Sequence, residues 1–330
     1  MTVVIPAYNI EKYVDNCLKS FICPEIMADM EVLIINDGSK DRTVELAEQY
    51  VRKYPETFRI VNKENGGHGS TINRGIQEAA GTYFKVVDGD DWVDGEAFAK
   101  LVVFLKGTSS DFVVNRYYWV QDATGEKSLE FKEPFEGVIY GKEYEFSEVS
   151  RKVFLKMHGL TVRTEILRKI PKIDEHCFYV DMEYVLFPIP FIKTVTFLED
   201  VVYQYRIGLP SQSMNMQSMQ RNEINYNRVL KRLLAYYEEQ QEKGLSESCL
   251  AYLEHCLGRM AATKFKIFLS FPQSPEVKEK MKQFDAELKT RYPKIYGAVI
   301  NKPVLLLRKT NYGLYPLAQK VFELKERMRK

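Results

Sequence analysis

Residues 83–92 read YFKVVDGDDW, and this stretch decides the fold. An apolar, β-branched run ends in three carboxylates within four residues, interrupted by Gly89. Such a run is typical of a buried parallel strand, and open α/β sheets bind ligands at the carboxyl ends of such strands. Because crowded acids repel one another, a divalent cation with oxygen ligands is their natural partner. The alternative is an acidic loop that caps the next helix.

Upstream of this stretch, strands and helices alternate. Apolar runs predict strands at Thr2–Pro6, Glu31–Asn36 and Phe58–Val61, and helices are predicted over about 11–21, 41–54 and 70–80. Short connections between these elements predict a parallel sheet with right-handed crossovers. The loops after the strands should then meet at one edge, which would carry Tyr8, Asp37, residues 66–69 and residues 88–90.

Downstream, the pattern becomes mixed and then helical. The predicted elements are a helix over about 95–106, a strand at 112–120, a hairpin turn at 121–127, a strand at 195–205 and a polar loop at 206–219. Three helices are predicted at about 220–243, 246–271 and 275–292. The change in composition near residue 215 divides the chain into an α/β domain, residues 1–215, and a helical domain, residues 216–330.

Composition narrows the class of protein. The 330 residues carry 47 Lys and Arg against 45 Asp and Glu, a net charge of +2 that gives no case for a nucleic-acid partner. The five cysteines lack disulfide or zinc spacing and no signal peptide is recognisable, so a cytoplasmic location is expected. No apolar run approaches the ~20 residues of a membrane span. The chain is therefore expected to be soluble, or peripheral on the inner face of the membrane.

Four motifs resemble those of family 2 glycosyltransferases of the GT-A fold. They are VVIPAYN at residues 3–9, IINDGS at 34–39 with Asp41 and Thr43 after it, NGG at 65–67 and VDGDD at 87–91. Any one of them is weak evidence, but four in this order and spacing are specific. The resemblance covers residues 1–120 strongly and extends loosely to about 215. It implies an α/β, Rossmann-related, mostly parallel sheet flanked by helices and followed by a helical C-terminal region.

The resemblance implies a nucleotide-sugar site within residues 1–120. In that family the base is held by residues that correspond to Tyr8 and Asp37. A tyrosine ring stacks on uracil and a carboxylate accepts from its N–H group, so a UDP-linked donor fits. Asp88 would contact the ribose, and Asp90 together with Asp88 would hold Mn²⁺ or Mg²⁺. The implied nucleotide site comprises Pro6, Ala7, Tyr8, Glu11, Asp37, Gly67, Asp88 and Gly89.

Residues 121–215 would then carry the acceptor site and the catalytic base. Asp181, in the aromatic segment Tyr179–Tyr184, occupies the family's base position, although Val180 replaces the glutamate that usually precedes it. An ionised Asp181 would take the proton of the acceptor hydroxyl, and a single displacement would invert the anomeric centre. Glu183 is the competing base, because in a strand it would share a face with Asp181.

The resemblance leaves open which residue supplies positive charge near the donor. Arg206 would clamp the pyrophosphate and stabilise the leaving group from a loop, residues 203–213, that closes over the donor. Many family members carry a further arginine where this chain has Ile72. Either Arg74, Lys63 or His68 supplies that charge, or the site works without it. Asp91 is predicted to support the acid cluster or to cap the next helix.

The resemblance implies an inverting, metal-dependent glycosyltransferase that acts on a glycan, lipid-linked or protein-linked hydroxyl, as in the synthesis of bacterial surface polysaccharides. Nucleotidyltransferases share a similar sheet and metal acids. They carry a Gly-rich, basic loop after the first strand, whereas residues 7–11 hold neither glycine nor a basic residue. A catalytically inactive binding subunit would have lost metal or base residues, yet Asp88, Asp90 and Asp181 are all present.

The segment from Asn301 to Lys330 has a profile of its own. Eight basic residues oppose two acidic ones, and leucines and aromatic residues interleave with them. This pattern is typical of an interfacial segment attracted to anionic lipid. It is equally typical of an amphipathic helix that docks on its own domain and leaves its charges in water. A lipid-linked acceptor would favour the membrane interpretation.

Overall fold

The computed structural model describes residues 1–130, 135, 137–209, 212 and 215–327. The chain folds into two units, Met1–Ser211 and Gln212–Lys330. The first unit holds the whole β-sheet, and the regular elements described in the second unit are all helices.

The first half of the sheet is parallel, as predicted. Strands β1 (Thr2–Ala7), β2 (Glu31–Asn36), β3 (Phe58–Asn62) and β4 (Tyr83–Val86) alternate with helices α1 (Val14–Lys19), α2 (Thr43–Lys53) and α3 (His68–Glu78). The strand order is β3-β2-β1-β4, and every neighbouring pair is parallel. Strand β1 is buried on both faces, because Val4 packs against Gly75 of α3 and Val3 packs on the opposite side with Val14 of α1. The carboxyl ends of these strands lie at one edge.

The second half of the sheet is mixed. Its elements are β5 (Trp92–Val93), α4 (Gly95–Gly107), β6 (Phe112–Gln121), β7 (Lys127–Leu129), β8 (Glu143–Glu145), α5 (Phe146–Val149), β9 (Leu160–Arg163), α6 (Thr164–Leu167), α7 (Asp181–Leu186) and β10 (Thr194–Ile207). Strand β9 lies between β4 and β6 and is antiparallel to both, whereas β10 is parallel to β6. The predicted hairpin is confirmed by the antiparallel pairing of β6 with β7.

Strand β10 extends further than the sequence predicted. Arg206, expected in the following loop, belongs to the strand, and Ser211 and Ser213 of that loop lie outside the described residues. The register between β10 and β6 shifts on both sides of Val201. Such irregularities bend a strand. The later part of β10 pairs with β5, which directly follows residues 88–91, here called the acidic loop. The end of β10 is thereby brought to the edge at which the carboxyl ends of the parallel strands lie.

The second unit comprises α8 (Met216–Arg221), α9 (Glu223–Glu242), α10 (Glu247–Ser270), α11 (Pro275–Arg291), α12 (Pro293–Ala298), α13 (Lys302–Lys309) and α14 (Tyr315–Arg327). The three helices predicted from the sequence correspond to α9, α10 and α11. Helix α10 is largely buried, and α12 approaches it so closely that a Cβ at Gly258 would lie 2.7 Å from the Ala298 methyl carbon. Throughout the described residues, no helix is long and apolar enough to cross a membrane.

Candidate active site

The carboxyl ends of β1, β2 and β4 meet through backbone contacts. Gly89 packs against the end of β1, where a Cβ would lie 2.8 Å from the Pro6 carbonyl oxygen. The N–H group of Asp37 donates to the Ala7 carbonyl oxygen over 2.8 Å. Tyr8, the next residue, is 49% exposed at this edge. The predicted convergence of these turns is observed.

Glu11 joins the turn after β1 to the start of α2. Its N–H group donates to the Asp41 carboxylate over 3.0 Å, and its own carboxylate accepts from the Arg42 N–H group over 3.1 Å. Asp41 also accepts from the Thr43 N–H group over 3.0 Å. These motif residues hold two turns of the edge together. A contact between Glu11 and a nucleotide remains a prediction.

Asp37 is buried, and its carboxylate accepts hydrogen bonds from residues 66–69, here called the glycine loop, and from residues next to it. One oxygen accepts from the Lys63 ammonium over 2.6 Å and from the Gly66 N–H group over 2.9 Å. The same oxygen lies 3.3 Å from the Ser70 hydroxyl, and the other accepts from the Gly67 N–H group over 2.8 Å. Because a carboxylate offers about four acceptor positions, the second oxygen keeps room for one further donor.

The three candidates for the missing positive charge occupy different places. Lys63 is engaged by the buried Asp37 carboxylate. Arg74 forms an ion pair with a glutamate one turn further along α3, and Ile72 is fully buried. His68 is the candidate that reaches the acidic loop, since its Nε2 lies 2.8 Å from a carboxylate oxygen of Asp88.

The His68–Asp88 pair links the glycine loop to the acids. Burial would lower the pKa of His68, but the charge and hydrogen bond of Asp88 outweigh it and raise that pKa above its usual value. The same contact lowers the pKa of Asp88 against the opposing effect of burial. Asp181 and Asp90 also act on His68. These side chains therefore form one charged cluster.

Asp91 supports the acidic loop from its buried side. It is 1% exposed, and its oxygens accept from the Tyr203 hydroxyl over 2.6 Å and from the Arg206 N–H group over 2.7 Å. The predicted helix-capping role of Asp91 is wrong. Asp94 caps α4 instead, because its carboxylate accepts from the Ala97 N–H group over 3.0 Å.

The acidic loop offers a donor set for a cation. Carboxylate oxygens of Asp88 and Asp91 and one ligand nitrogen of His158 lie within 4.8 Å of one another. Asp90 is partly exposed on the same loop, and burial together with the Asp88 charge raises its pKa to about 6. A raised carboxyl pKa marks crowded negative charge, which a divalent cation relieves. Carboxylate and imidazole donors fit a divalent metal ion.

Arg206 braces the acidic loop from β10. Its guanidinium carbon lies 4.9 Å from the Tyr13 ring centroid and 4.7 Å from the Trp92 ring centroid. Its Nε donates to the Asp90 carbonyl oxygen and its Nη1 to the Asp122 carboxylate, both over 2.7 Å. Its side chain is 14% exposed. The predicted contact of this guanidinium with a leaving group remains a prediction.

Asp181 begins helix α7, and this separates it from the competing base. Asp181 is partly exposed, whereas Glu183 is fully buried and accepts from the Asp174 N–H group over 2.8 Å. Residues two apart on a helix do not face the same way, so the strand-based expectation of a shared face is wrong. Burial raises the pKa of Asp181, and the Asp88 charge adds to that rise. Of the two carboxylates, Asp181 is the accessible one.

The segment before α7 is fastened to the glycine loop and α3. The Asn73 amide donates to the Ile173 carbonyl oxygen over 2.8 Å and accepts from the Ile173 N–H group over 2.9 Å. The His176 N–H group donates to the Gly66 carbonyl oxygen over 2.6 Å. The glycine loop, α3 and the segment before α7 are thus connected through hydrogen bonds to backbone groups.

Replacing Gly69 with alanine is expected to destabilise the first unit by about 2 kcal/mol or more, because a Cβ would lie 2.1 Å from the Asp174 carbonyl oxygen. Gly107→Ala is the matched control, since a Cβ there meets nothing within 4 Å. Scanning calorimetry of both variants checks the prediction. Equal melting temperatures would contradict the close approach of the two segments.

One neighbour of the site, Lys85, escaped the sequence analysis. Lys85 is fully buried in β4, donates to the carbonyl oxygens of His158 and Leu160, and has its pKa lowered to about 7 by burial. A lysine within an apolar strand was the available signal, because such an ammonium group must find acceptors. Nothing in the sequence indicated that His158 would be the residue it holds.

The family model described as Glycosyl transferase family 2 matches residues 2–170. The chain belongs to glycosyl transferase family 2. The resemblance inferred from the four motifs is therefore confirmed.

This member of family 2 is 25% identical over 225 residues to the putative glycosyltransferase EpsH of Bacillus subtilis (strain 168). The aligned region covers 64% of this chain and 62% of EpsH. The chain is also 25% identical to the minor teichoic acid biosynthesis protein GgaB of the same organism, over 69% of its length and 25% of GgaB. The chain thus spans less than two thirds of the length of either relative.

Among solved structures, S. aureus TarS 1–349 in complex with UDP-GlcNAc matches this family 2 glycosyltransferase with a TM-score of 0.59 and 19% sequence identity. The match covers 98% of this chain and 88% of that chain. This likeness shows a shared fold. It confirms the predicted GT-A-like sheet with flanking helices and a helical C-terminal region.

Proposed function

We propose that this chain is an inverting, metal-dependent glycosyltransferase. It would transfer a sugar from a UDP-linked donor to a hydroxyl group of a glycan, lipid-linked or protein-linked acceptor in cell-surface polysaccharide synthesis. The observation that carries the proposal is the charged cluster of His68, Asp88 and Asp181, in which an accessible carboxylate lies within electrostatic range of the donor-side pair. GgaB is named as a minor teichoic acid biosynthesis protein, which supports the choice of pathway, and the structure of TarS in complex with UDP-GlcNAc supports the choice of nucleotide.

The edge of the sheet would bind the nucleotide. Tyr8 offers an exposed ring for stacking on uracil, and Asp37 keeps one acceptor position for the N–H group of the base. Asp88, oriented by His68, would accept from a ribose hydroxyl. The backbone of four further residues would lie against the nucleotide: Pro6, Ala7, Gly67 and Gly89.

Within the VDGDD motif, Asp88 and Asp90 are the proposed ligands of the cation. Mn²⁺ or Mg²⁺, when bound, would neutralise charge on the leaving diphosphate. The protein contributes by fixing the acidic loop, through the Tyr203 hydroxyl on one side and the backbone and guanidinium of Arg206 on the other. Arg206 also places a permanent positive charge beside this loop.

Asp181 is the proposed general base. Its carboxylate takes the proton of the acceptor hydroxyl as that oxygen bonds to the anomeric carbon, and the bond from this carbon to the diphosphate oxygen breaks. Attack from the face opposite the leaving group inverts the anomeric centre. The raised pKa of Asp181 suits the role, because a carboxylate with a higher pKa is a stronger proton acceptor.

A hydrolysis screen of nucleotide-sugars tests the proposal. The full chain is expected to release UDP from a UDP-sugar in the presence of Mn²⁺ or Mg²⁺, to lose this activity in EDTA and to regain it when the cation is restored. Formation of pyrophosphate from a nucleoside triphosphate and a sugar phosphate would identify a nucleotidyltransferase instead. UDP binding without turnover of any donor would identify an inactive binding subunit.

We also propose that the second unit binds an anionic membrane surface through the α13–α14 patch. The patch consists of exposed apolar residues flanked by exposed lysines: Leu305, Leu306, Leu317, Val321, Leu324, Lys302, Lys309, Lys320 and Lys325. The opposite sides of the two helices are buried at Val304, Leu307 and Tyr315. Both interpretations of the sequence therefore have support, since the helices dock on their own unit and still expose leucines to solvent.

Not every basic residue of this segment would take part. Arg308 is mostly buried, donates to the Asp285 carboxylate at 2.8 Å and stacks 3.6 Å from the Tyr296 ring centroid, so it stabilises the unit. Arg329 and Lys330, and the side chain of Arg327, lie outside the described residues. The proposal rests on the lysines of the patch.

Flotation with lipid vesicles checks the membrane proposal. The full chain is expected to float with vesicles rich in phosphatidylglycerol and to remain behind with neutral vesicles. Leu305→Asp combined with Leu306→Asp should reduce flotation about tenfold, since it replaces apolar surface with negative charge. Ile224→Asp is the matched control, because Ile224 is 82% exposed on α9. Equal flotation of the patch variant and the wild type would reject the proposal.

A further inference from the structure

His158 lies beside the acidic loop although it comes from a distant part of the sequence. It belongs to a single 3₁₀ turn, Met157–Gly159, directly before β9. Three tyrosine rings surround its imidazole, with centroid distances of 5.2 Å to Tyr117, 4.9 Å to Tyr203 and 4.3 Å to Tyr205. These rings leave the imidazole little freedom to change rotamer.

The backbone of this turn is fixed on two sides. Lys85 donates to the His158 carbonyl oxygen over 2.8 Å and to the Leu160 carbonyl oxygen over 3.3 Å. Gly159 approaches β6 so closely that a Cβ would lie 2.4 Å from the Asn115 carbonyl oxygen. Fully buried lysines are rare, because an ammonium group loses its hydration, so this contact indicates that the position of the turn matters.

His158 keeps one buried polar atom unpaired. In the described part of the chain, its Nδ1 is buried and has no hydrogen-bond partner. One ligand nitrogen of the ring lies within 4.8 Å of carboxylate oxygens of Asp88 and Asp91. Hydrogen bonds from Tyr203 and Arg206 orient Asp91 and still leave each of its oxygens a second lone pair. An imidazole and two carboxylates that converge in this way form a donor set for a metal ion.

We propose that His158 and Asp91 join Asp88 and Asp90 as ligands of the divalent cation, and that the imidazole nitrogen makes the site favour a first-row transition metal ion over Mg²⁺. The inference rests on the proposed function for the presence of a cation, and it adds the chemical preference of the site. Mg²⁺ takes oxygen ligands in near-octahedral geometry, whereas Mn²⁺ and Co²⁺ also accept imidazole nitrogen. Lys85 is then a positioning residue, because it holds the His158 backbone.

Direct metal titration of the full chain tests this inference without measuring turnover. Mn²⁺ binding is followed by loss of the EPR signal of the free ion, with and without UDP, and Mg²⁺ is added as competitor. His158→Ala and His158→Gln are expected to weaken Mn²⁺ binding by about tenfold or more and to narrow the preference for Mn²⁺ over Mg²⁺. Co²⁺ absorption should change in the same variants if an imidazole ligand is lost.

His176→Asn is the matched control. His176 is an exposed histidine of the same unit whose backbone has a φ of 51°, a conformation that asparagine tolerates. Its Mn²⁺ titration should equal that of the wild type. Thermal unfolding identifies any variant that fails to fold, and His158→Gln keeps most of the side-chain volume so that one folded variant is available.

The outcomes separate this inference from the proposed function. Unchanged Mn²⁺ affinity in the folded His158 variants would overturn the inference and leave His158 as a packed ring. Failure of the wild type to bind Mn²⁺ with or without UDP would overturn it as well. Mn²⁺ binding that depends on His158, in a protein that turns over no nucleotide-sugar, would keep the metal site and reject the proposed function.

Discussion

Replacing Asp181 with asparagine is expected to lower the rate of glycosyl transfer by about 10²–10⁴-fold while UDP affinity stays near the wild-type value. Asparagine keeps the size and the hydrogen-bonding oxygen of the side chain, but it cannot accept a proton from the acceptor hydroxyl. Asp181 is the accessible carboxylate at the start of α7, and it belongs to the same charged cluster as His68 and Asp88. The loss should therefore fall on kcat rather than on donor binding.

Two further variants make this experiment decisive. Glu148→Gln changes an exposed carboxylate on α5 and should leave transfer and stability unchanged. Glu183→Gln disturbs a buried, hydrogen-bonded carboxylate, so it should lower the melting temperature more than the turnover of the folded enzyme. If Asp181→Asn kept most of its activity while Glu183→Gln lost it in a folded protein, Glu183 would be the base.

Replacing Asp90 with asparagine is expected to remove the dependence of UDP binding on a divalent cation and to lower transfer by about 10³-fold, which corresponds to several kcal/mol of lost charge stabilisation. Asp90 is partly exposed on the acidic loop, and burial together with the Asp88 charge raises its pKa, which marks crowded negative charge that a cation relieves. Calorimetric titration of UDP with and without Mn²⁺ measures the effect. An unaltered cation dependence would show that Asp90 is not a ligand.

The same Asp90 variant should be more stable than the wild type in the absence of metal. The folded-state pKa of Asp90 is raised to about 6 from an ordinary value of 3.8, so its ionised form destabilises the fold as pH rises from about 4 to 6. Asparagine removes this cost, on the order of 1 kcal/mol, above pH 6 and makes little difference below pH 4. Melting temperatures across this range check the sign.

Asp94→Asn is the control for both effects of the Asp90 variant. Asp94 caps α4 by accepting from the Ala97 N–H group, and asparagine caps a helix about as well. This change removes one negative charge close to the acidic loop without touching the proposed site. Its cation dependence and its stability should both match those of the wild type.

The parallel half of the fold could be predicted because its signals are local. Each of the first four strands is a short apolar run followed by a turn or a capped helix, and the alternation fixes the direction of its neighbours. The alternation by itself therefore predicts that Tyr8, Asp37 and the acidic loop lie at one edge. The same logic explains why four motifs identified the family.

The other half depends on contacts between distant residues. No local pattern indicates that β9 inserts between β4 and β6. Nor does any local pattern indicate that β10 continues past its irregularity at Val201 and includes Arg206. The apolar positions around Asp181 suit a short helix as well as a strand, and only packing selects the helix. His158 reaches the acidic loop through this long-range topology, so its neighbourhood could not be inferred from spacing.

Within the site, residue type was predicted better than residue role. The sequence left three candidates for a positive charge, and distance selected His68 because it alone of the three contacts Asp88. It also left Asp91 with two roles, of which capping belongs to Asp94. The role of a residue depends on which atoms its side chain contacts, and these contacts are set by the fold. The residue type depends only on the chemistry that the site requires, so it can be recognised in the sequence.

The paired hydrogen bonds between Asn73 and the Ile173 backbone bear on how specificity can change in this scaffold. Both bonds are made to backbone groups of Ile173, which lies just before residues 174–186, so a chimera that imports only those residues from a homologue keeps the anchor of the host. The bond from the His176 N–H group to the Gly66 carbonyl oxygen also joins backbone groups, which any grafted residue can supply. Exchange of acceptor preference should therefore succeed with the loop alone, and it should fail when Asn73 of the host is replaced with alanine.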